Sequence, residues 1–392
     1  MSSDPTDVTT WRLVNPAHML ARLREEVARP KVGTWIIHEG ISPLDLYVYL
    51  KARFGEPNGF AMTLKNPSSD NLIHWNWTLQ SGNAVIDLLG YQLQVLLAID
   101  GTNDPSRDEV ATLVAKIKSD FAQYRAKMAE VKRSLEKWVV FTNPYYRLSR
   151  VVDDMTNRLR SLDIDHTTLP GLPTTPEELA SFQAQWKVRQ SAYVEALGYG
   201  LSLRMIAPVL AESFINLVIF LLARPELKND DRLYKNAFRQ EVDIRVKTLH
   251  LNCVGFVKAV DAKDRRFKAF HTLMNGRNDF LHGNIDPLQL KYETVYFEGT
   301  IPLFTEFKNL SELSLVKSLV HVEPERALND ATVASAFVSL VLEAMNEKTR
   351  ETIEMFMRTS DPGWREDKKR AGILFPPMVV HTVMGPRSTG ES

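Results

Sequence analysis

The sequence predicts a mainly α protein, with an α+β unit at the amino end, a helical hairpin after it, and a helical bundle in the carboxyl-terminal half. Three observations lead there. Apolar residues recur at steps of three and four through much of residues 104–162 and 177–360, the period of a helix face. Extended-looking runs set between turn residues fall mostly within residues 1–103. A chain of 392 residues has the length for two domains with a substantial core.

In residues 1–103, Met19 to Val27 and Pro43 to Phe54 carry helical patterns. Thr34 to Ile37, Phe60 to Leu64, Leu72 to Leu79 and Ala84 to Ile99 read as strands, and Gln80-Ser81-Gly82-Asn83 supplies a hairpin turn. Trp75 and Trp77 alternate with His74 and Asn76, so both indoles share one strand face. Two readings stand for that pair: a surface on which bases stack, or core filling, the commoner use of such pairs.

Asp104 before Pro105 gives a helix start. Val110, Val114, Ile117, Phe121, Tyr124, Met128, Val131, Leu135 and Trp138 follow as a heptad stripe, and after Asn143-Pro144 the spacing returns at Leu148, Val152, Met155, Leu159 and Leu162. The two stripes suit an antiparallel hairpin over residues 104–162; the alternative cover is another subunit. Residues 163–176, DIDHTTLPGLPTTP, form the expected linker, with His166 inside it.

Thr175-Pro176-Glu177-Glu178 then opens a helix that passes Phe182, Trp186 and Val188, with a bend expected near Gly198 and Gly200. The most apolar window, Ile206 to Ala223, contains Pro208, Glu212, Ser213 and Asn216, an expensive set against lipid, so it reads as a buried bundle helix and no membrane partner is expected. Helices over Phe238 to Val260 and Asp264 to Leu281 continue the bundle. Leu290 to Thr300 reads as a strand pair with Tyr292, Tyr296 and Phe297 as aromatic teeth, and Arg326 to Arg358 as one long amphipathic helix. Residues 361–392, with a basic run at Lys368 to Arg370, read as an extended tail.

Lysine plus arginine and aspartate plus glutamate both number 48, which argues against nonspecific binding of nucleic acid by overall charge and leaves room only for a local patch. Between Arg224 and Lys268, basic residues outnumber acidic ones by five. Arg232, Lys235, Arg239, Lys263, Arg265 and Lys268 are either a backbone-binding surface for RNA or ordinary solvated helix faces. Cys253 is the only cysteine, which excludes an intramolecular disulfide and a multi-cysteine zinc site within one chain. The amino-terminal MSSDPTDVTTW lacks the basic flank and apolar core of a secretory signal, so a cytoplasmic location is expected.

The densest chemistry lies in Gly276 to Gly283, GRNDFLHG. Arg277, Asn278 and His282 offer a fixed cation, an amide and a titratable imidazole within about a turn and a half of helix, a set suited to phosphate chemistry. Convergence of the three requires a helix end or kink, which Gly276 and Gly283 permit. R-x-x-x-x-H spacing also occurs at Arg245 to His250 and Arg266 to His271. Asn278, the apolar Phe280 and Leu281, and Gly283 set the third copy apart. No P-loop, GxGxxG or serine elbow is present.

The R-N-x-φ-φ-H-G run, with φ apolar, resembles the signature of HEPN domains, helical bundles many of which are metal-independent endoribonucleases. The resemblance implies a HEPN-like bundle over residues 177–360 with Arg277, Asn278 and His282 catalytic, no cofactor and no metal. It puts Glu212 in reach as a support for Arg277 or His282; the alternative is a buried ion pair with any arginine. It further implies an RNA substrate cut to 2′,3′-cyclic phosphate and 5′-hydroxyl ends by two motifs meeting in a homodimer or higher homo-oligomer. Bacterial relatives serve as toxins or in antiphage defence, which adds an antitoxin or a phage trigger as partners and makes the amino-terminal unit a sensor or regulator. Two other classes stay open: a non-catalytic HEPN-like module that binds a nucleotide or protein, and a helical scaffold working through its heptad stripe.

Overall fold

The structure, a computed structural model, describes residues 4–14, 31–65, 70–162, 164, 173–282, 287, 291, 293–305, 315, 319, 322–375 and 379–380, with the backbone alone at 70, 279–282 and 379–380. The expected helix at Met19 to Val27 and most of the 163–176 linker, His166 included, lie outside the described residues. The chain is mainly helical with a smaller share of sheet, in two compact units. One comprises Met1–Trp138 and Leu374–Ser392, the other Val139–Ile373.

In the first unit, β1 (Arg12–Leu13), β2 (Val32–Ile37), β4 (Trp75–Ser81), β5 (Ala84–Gly90) and β6 (Val95–Asp100) form an antiparallel sheet in the order β1-β4-β5-β6-β2; a short β3 (Asp70–Asn71) pairs apart from it. The Gln80 to Asn83 hairpin is present, with Gly82 at φ 58°. The single strand expected over Ala84 to Ile99 is two strands, turned where the Tyr91 amide donates to the Gln94 carbonyl at 2.9 Å. Phe60 to Leu64 is a 3₁₀ turn rather than a strand, held by Asn76 Oδ1, which accepts from the Ala61 amide at 3.2 Å. Trp75 and Trp77 are buried and pack edge to face against Tyr47 at 6.1 and 5.3 Å, which settles the pair as core.

Two helices cover this sheet, α1 (Pro43–Phe54) and α2 (Arg107–Ser134). The start of α2 is capped by Ser106 with Glu109, two residues beyond the expected Asp104; Asp104 instead accepts from the Thr34 amide at 2.8 Å. The stripe Val110, Val114, Ile117, Phe121, Tyr124 and Met128 packs into the core that α1 and the sheet form. Neither a hairpin partner nor a second subunit is needed to cover that part of it. An Arg53–Asp120 pair at 2.6 Å, joined by the Tyr49 hydroxyl, locks α1 to α2 beneath.

The second unit contains β7 (Val139–Val140), α3 (Pro144–Ser161), α4 (Pro176–Leu222), α5 (Pro225–Asn229), α6 (Asp231–Arg239), α7 (Val242–Asn252), α8 (Arg265–His282), the hairpin β8 (Val295–Glu298) and β9 (Ile301–Phe304), α9 (Pro324–Leu342), α10 (Glu347–Met357), β10 (Gly363–Arg365) and β11 (Arg370–Gly372). The unit boundary thus falls between Trp138 and Val139, and the hairpin expected over 104–162 is divided: α2 belongs to the first unit, α3 to the second. The apolar face of α3 is covered by α4.

The axis of this unit is α4, 47 residues or roughly 70 Å of helix, continuous through Gly198, Gly200 and Pro208. It is long and apolar enough to cross a membrane, and half of its most apolar window is buried against the rest of the chain. Around it pack α3, α9, α8 and α7. The helix expected over Phe238 to Val260 is α6 and α7, broken at Gln240 and ended at Cys253, whose bridge to Ala223 takes the backbone into extended form. Arg326 to Arg358 is likewise two helices, because Met345 bridges Phe256 and Asn346 caps α10. Part of the expected tail is structured: β10 pairs with β11 and β7, placing Lys369 in the turn.

Asn143 joins the ends of this unit. Its Oδ1 accepts from the Tyr145 amide at 3.1 Å to cap α3, and its Nδ2 donates to the carbonyls of Phe356 and Thr359 at 2.8 and 2.9 Å. Because Asn143 is fully buried, Asn143→Ala leaves the helix start uncapped and takes the side-chain donor from the Thr359 carbonyl, while the Phe356 carbonyl keeps the Thr359 amide. Chemical denaturation is expected to show a loss of about 2 kcal/mol, combining a cap with one acceptor left without its donor. A loss under about 0.5 kcal/mol, the usual surface value, would contradict that assignment.

Candidate active site

Helix α8 owes its seat to an apolar stripe. Phe267, Phe270, Leu273 and Met274 are buried, and Phe270 stacks on Phe337 of α9 with ring centroids 3.7 Å apart and planes at 11°. The next position on that stripe is Arg277, which brings a guanidinium to an inward-facing place. Its side chain is 20 % exposed, and its Nη1 donates to Glu212 Oε2 of α4 at 3.1 Å. Nη2 donates to Asn278 Oδ1 at 3.3 Å, so the exposed Asn278 accepts from its neighbour. The helix runs through Gly276 and ends at His282, one turn past Asn278; the His282 side chain lies outside the described residues.

Glu212 holds a second arginine. Arg245 of α7, 5 % exposed, donates through Nη2 to Glu212 Oε1 and through Nη1 to Asn216 Oδ1 at 2.6 Å. Glu212 and Asn216 stand one turn apart on α4, so a single helix face presents both acceptors. The structure therefore brings Arg277, Asn278 and Glu212 together and adds Arg245 and Asn216. In the sequence Arg245 stands out only as the start of a repeated spacing. The signal available in the sequence is the polar pair Glu212 and Asn216 inside an apolar helix, which calls for a buried donor, and Arg245 serves both.

Of the remaining expected residues, Arg232, Lys235 and Arg239 lie on α6, and Lys263, Arg265 and Lys268 at or just before the start of α8. All six are exposed. Lys268 precedes Arg277 by nine residues, about 13 Å along the helix axis. Cys253 is buried with its thiol pushed up to about 12 by desolvation, which removes it as a nucleophile. Among the described residues no group of three His, Cys, Asp or Glu side chains is arranged to hold a metal ion.

Burial alone would raise the Glu212 carboxyl, but the guanidiniums of Arg245 and Arg277 outweigh it and hold the group below its ordinary value of 4.5. A carboxylate depressed in the fold stabilises fully above its unfolded value and loses that contribution as pH falls through the folded one. Thermal unfolding of the wild type is therefore expected to lose stability more steeply below pH 4.5 than that of Glu212→Gln. Parallel acid profiles for the two proteins would contradict the clamp.

Comparison with protein families, with curated proteins and with solved structures returns no match.

Proposed function

We propose that the second unit is a HEPN-like bundle and that the protein is a metal-independent endoribonuclease, with Arg277, Asn278 and His282 as its catalytic set. The observation that carries this reading is the clamp: Arg277 is fixed by Glu212 of a neighbouring helix, five positions before a histidine at the helix end. A guanidinium held in this way needs no reordering to meet a phosphorane, which is where preorganised charge lowers a barrier.

In the proposed reaction one His282 takes the proton from a ribose 2′-hydroxyl, and the oxygen attacks the adjacent phosphorus. The bond from phosphorus to the 5′-oxygen breaks, and a second imidazolium protonates the departing oxygen. The products are a 2′,3′-cyclic phosphate and a 5′-hydroxyl. Since one imidazole is poorly placed for both tasks, the second comes from another copy of the chain in a homodimer. Arg277 neutralises the non-bridging oxygens, Glu212 positions Arg277, and Arg232, Lys235, Arg239, Lys263, Arg265 and Lys268 meet the RNA backbone. A role as a toxin or in bacterial antiphage defence follows from the motif resemblance, with the first unit as sensor.

The test is incubation of the purified protein with mixed RNAs in chelator, beside an RNA carrying 2′-deoxyribose at each cut position. Cleavage of the first and not of the second is expected. An intact RNA pool would favour a non-catalytic module that uses the same clamp to bind.

A further inference from the structure

A cavity of about 220 Å³ lies where α4, α8 and α9 meet. Its charged lining is Arg204 of α4, Arg277 of α8, and Arg326 and Asp330 of α9. Neither Glu212 nor Asn278 lines it. Arg204 is 7 % exposed and faces Asp330 at 3.3 Å, while Arg326, half exposed, reaches outward to Glu323 at 3.5 Å. Among the described residues three guanidiniums and one carboxylate, that of Asp330, border this space, while Glu212 and Glu323 pair with Arg277 and Arg326 from outside the lining. Burial first, and the like charge of Arg326 second, lower Arg204 from its ordinary value, and Asp330 and Glu323 offset only part of that. A further anion in the cavity would favour the charged form.

Gly276 also lines the space, and a Cβ built on it would meet nothing within 4 Å. A glycine inside a helix costs about 1 kcal/mol relative to alanine, and here neither a close approach nor a left-handed backbone asks for one. Its consequence is that this part of the lining carries no side chain.

We propose that this cavity binds a phosphate monoester, either a free nucleotide or the terminal phosphate of a nucleic acid. Guanidinium forks match phosphate oxygens, and the volume, about seven water volumes, takes a phosphoryl head with the sugar beside it rather than a run of nucleotides. Arg204 and Arg326 supply the site, and Asp330 is the carboxylate the ligand competes with. Only Arg277 is shared with the proposed cleavage site.

Thermal shift and calorimetry on the full chain test this with three probes: inorganic phosphate, a nucleoside monophosphate, and a short 2′-deoxy oligonucleotide with a terminal phosphate. Saturable binding of at least one is expected in the wild type, and preference between the last two assigns the source. Arg326→Ala should weaken it by about tenfold, Gly276→Leu should block it by filling the space, and Asp330→Asn should tighten it. Arg326 is half exposed, so its variant reports even if Gly276→Leu folds poorly. No saturable binding of any probe, or binding unchanged in Arg326→Ala, would overturn the proposal. Binding is read without cleavage: a protein that binds but leaves RNA intact upholds this site and refutes the nuclease, and the converse outcome refutes this site alone.

Discussion

His282→Ala is expected to cut RNA about 10³-fold more slowly than the wild type, within the range that a positioned acid or base contributes. Arg277 stays anchored to Glu212 and Asn278 stays beside it, so phosphate recognition persists while proton transfer is lost. The measurement is a single-turnover cleavage rate at saturating protein, with circular dichroism to establish that the variant is folded. A folded variant within about threefold of wild type would show that His282 moves no proton in the rate-limiting step.

Glu212→Gln is expected to have the largest effect on stability. One carboxylate receives two guanidiniums, and its side chain is 26 % exposed against 4 % for Arg245 and 20 % for Arg277. Glutamine keeps the shape and one acceptor but leaves two like charges facing a neutral amide. The cost is about 3 kcal/mol, at the lower end for a buried pair stripped of one partner. Urea denaturation reads it, and the same variant should cleave RNA more slowly because Arg277 loses its anchor. A surface ion pair would lose under about 1 kcal/mol, and a value that small would mean that Glu212 fixes neither arginine.

The sequence shows faces better than it shows what covers them. Val110 to Met128 is legible as a stripe because its period is intrinsic to the helix, yet nothing in that period tells a hairpin partner from a sheet. The structure puts the sheet and α1 there. Breaks created by tertiary pairing are hidden for the same reason: the backbone leaves helical form at Cys253 and Met345 because of bridges to Ala223 and Phe256, residues far away in the chain. Asn143 before Pro144, by contrast, announces its helix start locally, and the structure keeps it.

At the site, Arg277, Asn278 and His282 stand out because side-chain type and spacing coincide within six residues. Resemblance brought Glu212 into view, and the contact with Arg277 is a tertiary fact. Arg245 was hidden among repeated spacings, and Arg204, Arg326 and Asp330 carry no local pattern at all. They become a group only where three helices cross.

In the proposed reaction RNA is opened by its own 2′-hydroxyl. Mass spectrometry of the fragments, generated in chelator, reads that directly. A 2′,3′-cyclic phosphate on the upstream fragment and a 5′-hydroxyl on the downstream one are the expected ends, both absent with His282→Ala; 5′-phosphate and 3′-hydroxyl ends from the wild-type protein would contradict the mechanism.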